Sequence, residues 1–169
     1  MASSNSFDPN EMFKASRSLL SGAKIIIVSE GIHDRGQTRI PTLPVIVCCA
    51  LAIEIGIKAL LTLEMKRFPS KGGGHSLKAL FETLPALTQQ SLLSFQYQFT
   101  KLSPLQAKAK LKEEDTTFVT WRYAYEHARL STSPSFLYEF GVAVSEFLRE
   151  RLEASTIPSV PEAVARVLD

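Results

Sequence analysis

A chain of 169 residues with 45% hydrophobic and 21% charged side chains has the length and balance of one folded domain around a single core. Its formal charge of +2 is too small to argue nucleic-acid binding without a local basic patch. The two cysteines, Cys48 and Cys49, are neighbours inside an apolar run, so they cannot staple a small fold and read as buried free thiols of a reducing compartment.

Every long segment has helical period, and none shows sustained two-residue alternation. The opening MASSNSFDPNE lacks both a basic and an apolar signal region, so a secretory leader is not expected. Helix one is expected to begin at FDPNE, with Asp8 as N-cap and Pro9 at the first helical position. Its Met12, Leu19, Leu20, Ala23, Ile26 and Ile27 form one stripe, and Gly31 ends it. The following GIHDRGQTRIPT reads as an exposed loop.

Helix two is expected from about Pro44 to Lys66, apolar nearly all round and therefore central. Its stretch Leu43 to Leu63 has the length of a membrane span. Glu54 and Lys58 sit near its centre, however, where each would cost about 2.5–3.5 kcal/mol in lipid. Spaced i,i+4 with the acid first, they read instead as a helical ion pair, or less readily as the lining of a polar site.

FPSKGGGHS is a flexible break, after which Ser76 caps a short helix with Leu77, Leu80, Phe81 and Leu84 on one face. His75 follows three glycines, but the order of a phosphate-binding loop and its preceding strand are missing, so it reads as a helix-entry residue. A fourth helix is expected from about Ala86 to Leu102, with Leu92, Phe95, Phe99 and Leu102 in register. SPLQ, Ser103 to Gln106, has capping-box spacing and introduces a short lysine-rich helix. Lys101, Lys108, Lys110 and Lys112 are either a phosphate-contacting face or a solvated helix surface. The acidic Glu113 to Asp115 is expected to charge the start of the next helix, as the helix dipole favours.

That next helix carries TTFVTWRYAYEHARLS, Thr116 to Ser131. Ser133–Pro134 starts a last long helix to about Leu152, with Phe136, Phe140, Val144, Phe147 and Leu148 inward. The expected architecture is an all-α, up-and-down bundle of five to six helices over residues 1–154. Residues 155–169 form a tail, loosely docked or partner-binding. No cofactor motif appears: there is no Cys-x-x-Cys or His-x-x-x-His metal spacing, no Gly-x-Ser-x-Gly and no dinucleotide fingerprint.

Two segments carry a family likeness. CALAIEIGIKALLTL, with Glu54 and Lys58 four apart, leads across the Gly-rich break to GHSLKALFETL. This resembles the HEPN superfamily (higher eukaryotes and prokaryotes nucleotide-binding), in which a helix of A-x-E-x-x-x-K-A-L-L type precedes an H-[DS]-L-x-x-L helix. WRYAYEH lies where many members place an R-Y-x-Y-E-like stretch, and the likeness covers roughly Ala50 to His127. It implies a HEPN-like bundle, a cytoplasmic homodimer without membrane attachment, and a toxin–antitoxin or phage-defence setting. The implied partners are an RNA substrate and an antitoxin or other defence protein.

Many HEPN members are metal-independent endoribonucleases marked by R-x(4–6)-H, and others are catalytically silent modules that bind a nucleotide, nucleic acid or protein. Arg122 and His127, separated by four residues, satisfy that spacing. Tyr123 departs from it, because active members usually have a polar residue after the Arg. In the catalytic reading His127 is general base or acid toward the ribose 2′-hydroxyl, and Arg122 binds the scissile phosphate. Tyr123 and Glu126 would then orient the Arg or stack on a base.

The structural reading stands beside this one. Phe118, Trp121 and Tyr125 fall at i, i+3 and i+7 as a core stripe, Arg122 and Glu126 pair at i,i+4, and His127 sits on the rim. Residues five apart on a straight helix are also about 140° apart around its axis. A catalytic Arg122–His127 pair therefore requires a non-helical start or a site shared across a dimer.

Overall fold

The computed structural model describes residues 7–29, 32–34, 37–39, 42–66, 74–122 and 132–156. Among these the fold is all-helical apart from one small hairpin. The helices are α1 (Pro9–Ser29), α2 (Thr42–Met65), α3 (Leu77–Thr83), α4 (Ala86–Phe95), α5 (Tyr97–Thr100), α6 (Pro104–Glu113), α7 (Thr117–Arg122) and α8 (Pro134–Thr156). The eight helical segments of the described residues exceed the five to six expected from sequence.

The core is a trio of long helices in which α2 packs on both α1 and α8. Asp8 caps α1, accepting from the Asn10 backbone at 2.9 Å. Contacts fix the directions. Ser16 Oγ donates to the Ala52 carbonyl at 2.9 Å, and Gly141 of α8 lies against Leu20 and Ile53. Gly56 faces Val144 and Ser16. Along α1 the partners on α2 therefore run backwards, whereas α2 and α8 advance together. The first two helices are antiparallel and α2 and α8 are parallel, with α3 to α7 making the return.

Close approach explains both glycines. A β-carbon at Gly56 would stand 2.6 Å from Val144 Cγ1, and one at Gly141 would stand 2.8 Å from Leu20 Cδ2. Helix α2 is long and apolar enough to cross a membrane by length and composition, but 67% of that apolar window is buried inside the bundle. Cys49 is buried and Cys48 half-buried, both as free thiols.

Three expectations change. Residues 32–34 and 37–39 of the expected loop form an antiparallel hairpin, with Ile32 opposite Arg39. Strands this short carry no alternation to detect. The expected single helix from Ala86 to Leu102 is broken at Gln96. Its fully buried amide donates to the carbonyls of Leu93 and Leu102 and also engages Thr100, while Lys101 closes α5 in the left-handed region at φ 57°.

The third change concerns the acidic run before α7, whose Glu114 engages the start of α7 as expected while Glu114 and Asp115 also serve other helices. Asp115 Oδ1 accepts from Ser76 Oγ at 2.6 Å and the Lys78 backbone at 2.8 Å, capping α3 from across the fold. Glu114, 3% exposed, accepts from Thr117 Oγ1 at 2.7 Å and the Ser133 backbone at 2.7 Å, clamping the entry of α8. Such charged caps draw on the same helix-terminus electrostatics, at other termini.

Candidate functional site

The middle of α2 is where this fold gathers titratable groups. An apolar helix holds a charged residue inside a bundle only when partners compensate it, and Glu54 is 3% exposed. Its Oε1 accepts from Lys58 Nζ at 2.6 Å, the i,i+4 pair expected from sequence. Its Oε2 lies 2.9 Å from His75 Nδ1, twenty-one residues further along the chain. The Lys58 side chain is 19% exposed and that of His75 47%, so the carboxylate is enclosed while the imidazole reaches the surface.

The chemistry of this arrangement follows from its hydrogen bonding. An ionised carboxylate only accepts, so a proton carried on Nδ1 points at Glu54. A buried carboxylate that fixes one imidazole nitrogen sets the tautomer and aims the other, the arrangement of general acid–base dyads. Lys58 adds a cation beside it.

Local structure explains why His75 arrives here. Ser76 caps α3 with its own Oγ, accepting from Ala79 at 3.0 Å, and donates to Asp115 just before α7. The Leu77 backbone donates to the Asp115 carbonyl at 3.0 Å. These bonds tie the entry of α3 to the entry of α7, and α7 packs on α2. Trp121 of α7 packs against the core as the aromatic stripe predicts.

Of the residues singled out in the aromatic segment, Arg122 is the last residue of α7, and only its backbone belongs to the described residues. Tyr123, Tyr125, Glu126 and His127 lie outside the described residues, as do the tail positions 157–169. Lys101 Nζ donates to the Gln98 carbonyl at 2.9 Å, and Lys110 pairs with Glu113 at 2.6 Å, which raises its pKa through that hydrogen bond. Lys108 and Lys112 lie together on the opposite side of α6 beside Lys78.

Sequence reasoning took Glu54 and Lys58 as a pair but left His75 as a local helix-entry residue. The signal that could have joined them was the short reach of the Gly-rich break between a charged central helix and a capped one. Among the described residues no group of three metal-ligating side chains is assembled. Comparison with protein-family models, curated proteins and solved structures finds no match, so what the chain does must be argued from its own residues.

Proposed function

We infer that this chain is a HEPN-like, metal-independent endoribonuclease acting as a homodimer in the cytoplasm, within a toxin–antitoxin or phage-defence system. The observation that carries the reading is the company kept by α7. This helix includes the Arg122 backbone and packs on α2, which holds the buried Glu54 engaged by Lys58 and His75. The buried Glu54 thereby gathers one ammonium and one imidazole, those of Lys58 and His75, on the helix against which α7 packs. A cation with an imidazole is the equipment RNA cleavage needs without a metal.

In this reading His127 removes the ribose 2′-hydroxyl proton and the oxygen attacks the adjacent phosphorus. Arg122 neutralises charge growing on the phosphoryl oxygens, and the 5′-oxygen leaves with a proton returned by an acid. The products are a 2′,3′-cyclic phosphate and a 5′-hydroxyl.

The test is cleavage of labelled single-stranded RNA in EDTA, lost in His127→Ala with the circular dichroism spectrum unchanged. A wild-type protein that cuts no RNA and whose expression leaves growth unaffected overturns the nuclease reading. A catalytically silent module binding a nucleotide, nucleic acid or protein would then take its place. The mutual pairing of Glu54, Lys58 and His75 fits that role as a structural cluster.

A further inference from the structure

Helices α3 and α6 leave an open groove of about 190 Å³ between them, lined in part by Lys108 and Lys112, two of the lysines considered above as phosphate contacts. Its floor is apolar, formed by Phe81, Ala109 and Leu111. Its lip carries Leu105, which is 80% exposed, among the most exposed large hydrophobic side chains of the described residues. Its rim carries Lys78, Lys108 and Lys112 together with Glu82.

The layout of α6 makes this a face in its own right. Ala107 and Leu111 are buried and anchor the helix to the bundle. Leu105, Lys108, Ala109 and Lys112 recur at i, i+3, i+4 and i+7, a second stripe along the groove. The helix start is already secured by the Ser103–Gln106 capping box, so capping gives no reason for a leucine at this exposed position. Among the described residues neither Lys108 nor Lys112 meets a carboxylate, and Lys78 has only Glu82 at 3.7 Å. The groove is thus apolar within, and its edge carries three ammonium groups against one carboxylate, that of Glu82 beside Lys78.

We propose that this α3–α6 groove docks a short acidic, amphipathic segment of a partner protein. Such a segment places one or two apolar side chains against Leu105 and Ala109, the exposed apolar groups of the groove, and sets its carboxylates against Lys108 and Lys112. Amphipathic segments enter grooves in this way, with apolar anchors giving affinity and flanking charges giving orientation and on-rate. Single-stranded nucleic acid fits the groove less well. Such binding uses exposed aromatic faces for stacking, whereas the aromatic ring here, Phe81, is 1% exposed.

The experiment is selection of a displayed library of random 12-residue peptides on the full chain, followed by anisotropy titration of an enriched peptide. Enrichment of peptides that combine Leu, Ile or Phe with flanking Asp or Glu is expected. Binding should fall at least tenfold in Leu105→Ser and in Lys108→Glu/Lys112→Glu, with the melting temperature of each variant unchanged. No enrichment, or enriched peptides that bind both variants as they bind wild type, overturns the proposal. So does oligouridylate binding that is lost in the lysine variant but kept in Leu105→Ser, since the lysines would then serve nucleic acid.

Discussion

His75 Nδ1 stands 2.9 Å from Glu54 Oε2, which ties the entry of α3 to the middle of α2 through one enclosed carboxylate. Removing that carboxylate strands Lys58 in a mostly buried position. Glu54→Ala should therefore cost about 2–4 kcal/mol, below the full cost of breaking a buried pair because Lys58 and His75 reach solvent in part. His75→Ala, at the more exposed end, should cost about 1 kcal/mol or less. Urea denaturation of the two variants measures both. Equal losses would mean that the imidazole contributes as much as the carboxylate, contrary to their burial.

The two helix-embedded glycines should respond differently to alanine. At Gly56 the new methyl group meets Val144 Cγ1 at 2.6 Å, and a β-branched side chain on a helix has little rotamer freedom to retreat. Gly56→Ala should destabilise by about 1–3 kcal/mol. At Gly141 the obstacle is the far end of Leu20, which can rotate, and alanine gains up to about 1 kcal/mol of helix propensity. Gly141→Ala should lie within about 1 kcal/mol of wild type, and thermal melts of the pair test the difference.

Ser145 Oγ is a buried hydroxyl with no hydrogen-bond partner among the described residues, on a helix that an alanine would suit better. Ser145→Ala should raise stability by about 0.5–1.5 kcal/mol, from the relieved desolvation and the better propensity. A clear loss of stability would show that the hydroxyl is satisfied in solution.

Burial pushes the Cys49 thiol up from 9.0 to about 12 and raises Cys48 as well, so both are protonated at neutral pH. Between pH 9 and about 12 the unfolded chain loses the Cys49 proton while the folded chain keeps it, so stability falls with rising pH across that window. Tyr138, raised by burial and by Cys49, adds to the fall at its upper end. Cys49→Ala should flatten the alkaline limb of a stability–pH curve by about one proton. Wild type should also react with iodoacetamide at pH 7.5 far more slowly than after denaturation, Cys49 last.

Local signals read cleanly from sequence where a short-range rule dominates. Asp8, Ser76 and the Ser103–Gln106 box cap their helices as their spacing requires, and the inward stripe of α8 from Phe136 to Leu148 is buried. What failed was non-local. Gln96 looks like an ordinary helical residue until its amide turns to the carbonyls of Leu93 and Leu102, and nothing in a helical period reports that. Glu114 and Asp115 sit before α7, and beyond the expected Glu114 contact with Thr117 they reach α8 and α3 because folding brings those helix starts beside them. His75 joined Glu54 for the same reason, through a contact twenty-one residues apart. Of the proposed catalytic pair, Arg122 belongs to α7 with only its backbone described, and His127 lies outside the described residues.

The 3′ terminus left on a cut RNA tests the nuclease reading most directly. Single-stranded RNA incubated with wild-type protein in EDTA should yield fragments whose mass carries a 2′,3′-cyclic phosphate, and His127→Ala should yield none. Intact RNA after prolonged incubation with folded wild type, fragments ending in a 3′-hydroxyl, or undiminished cutting by His127→Ala would each contradict it.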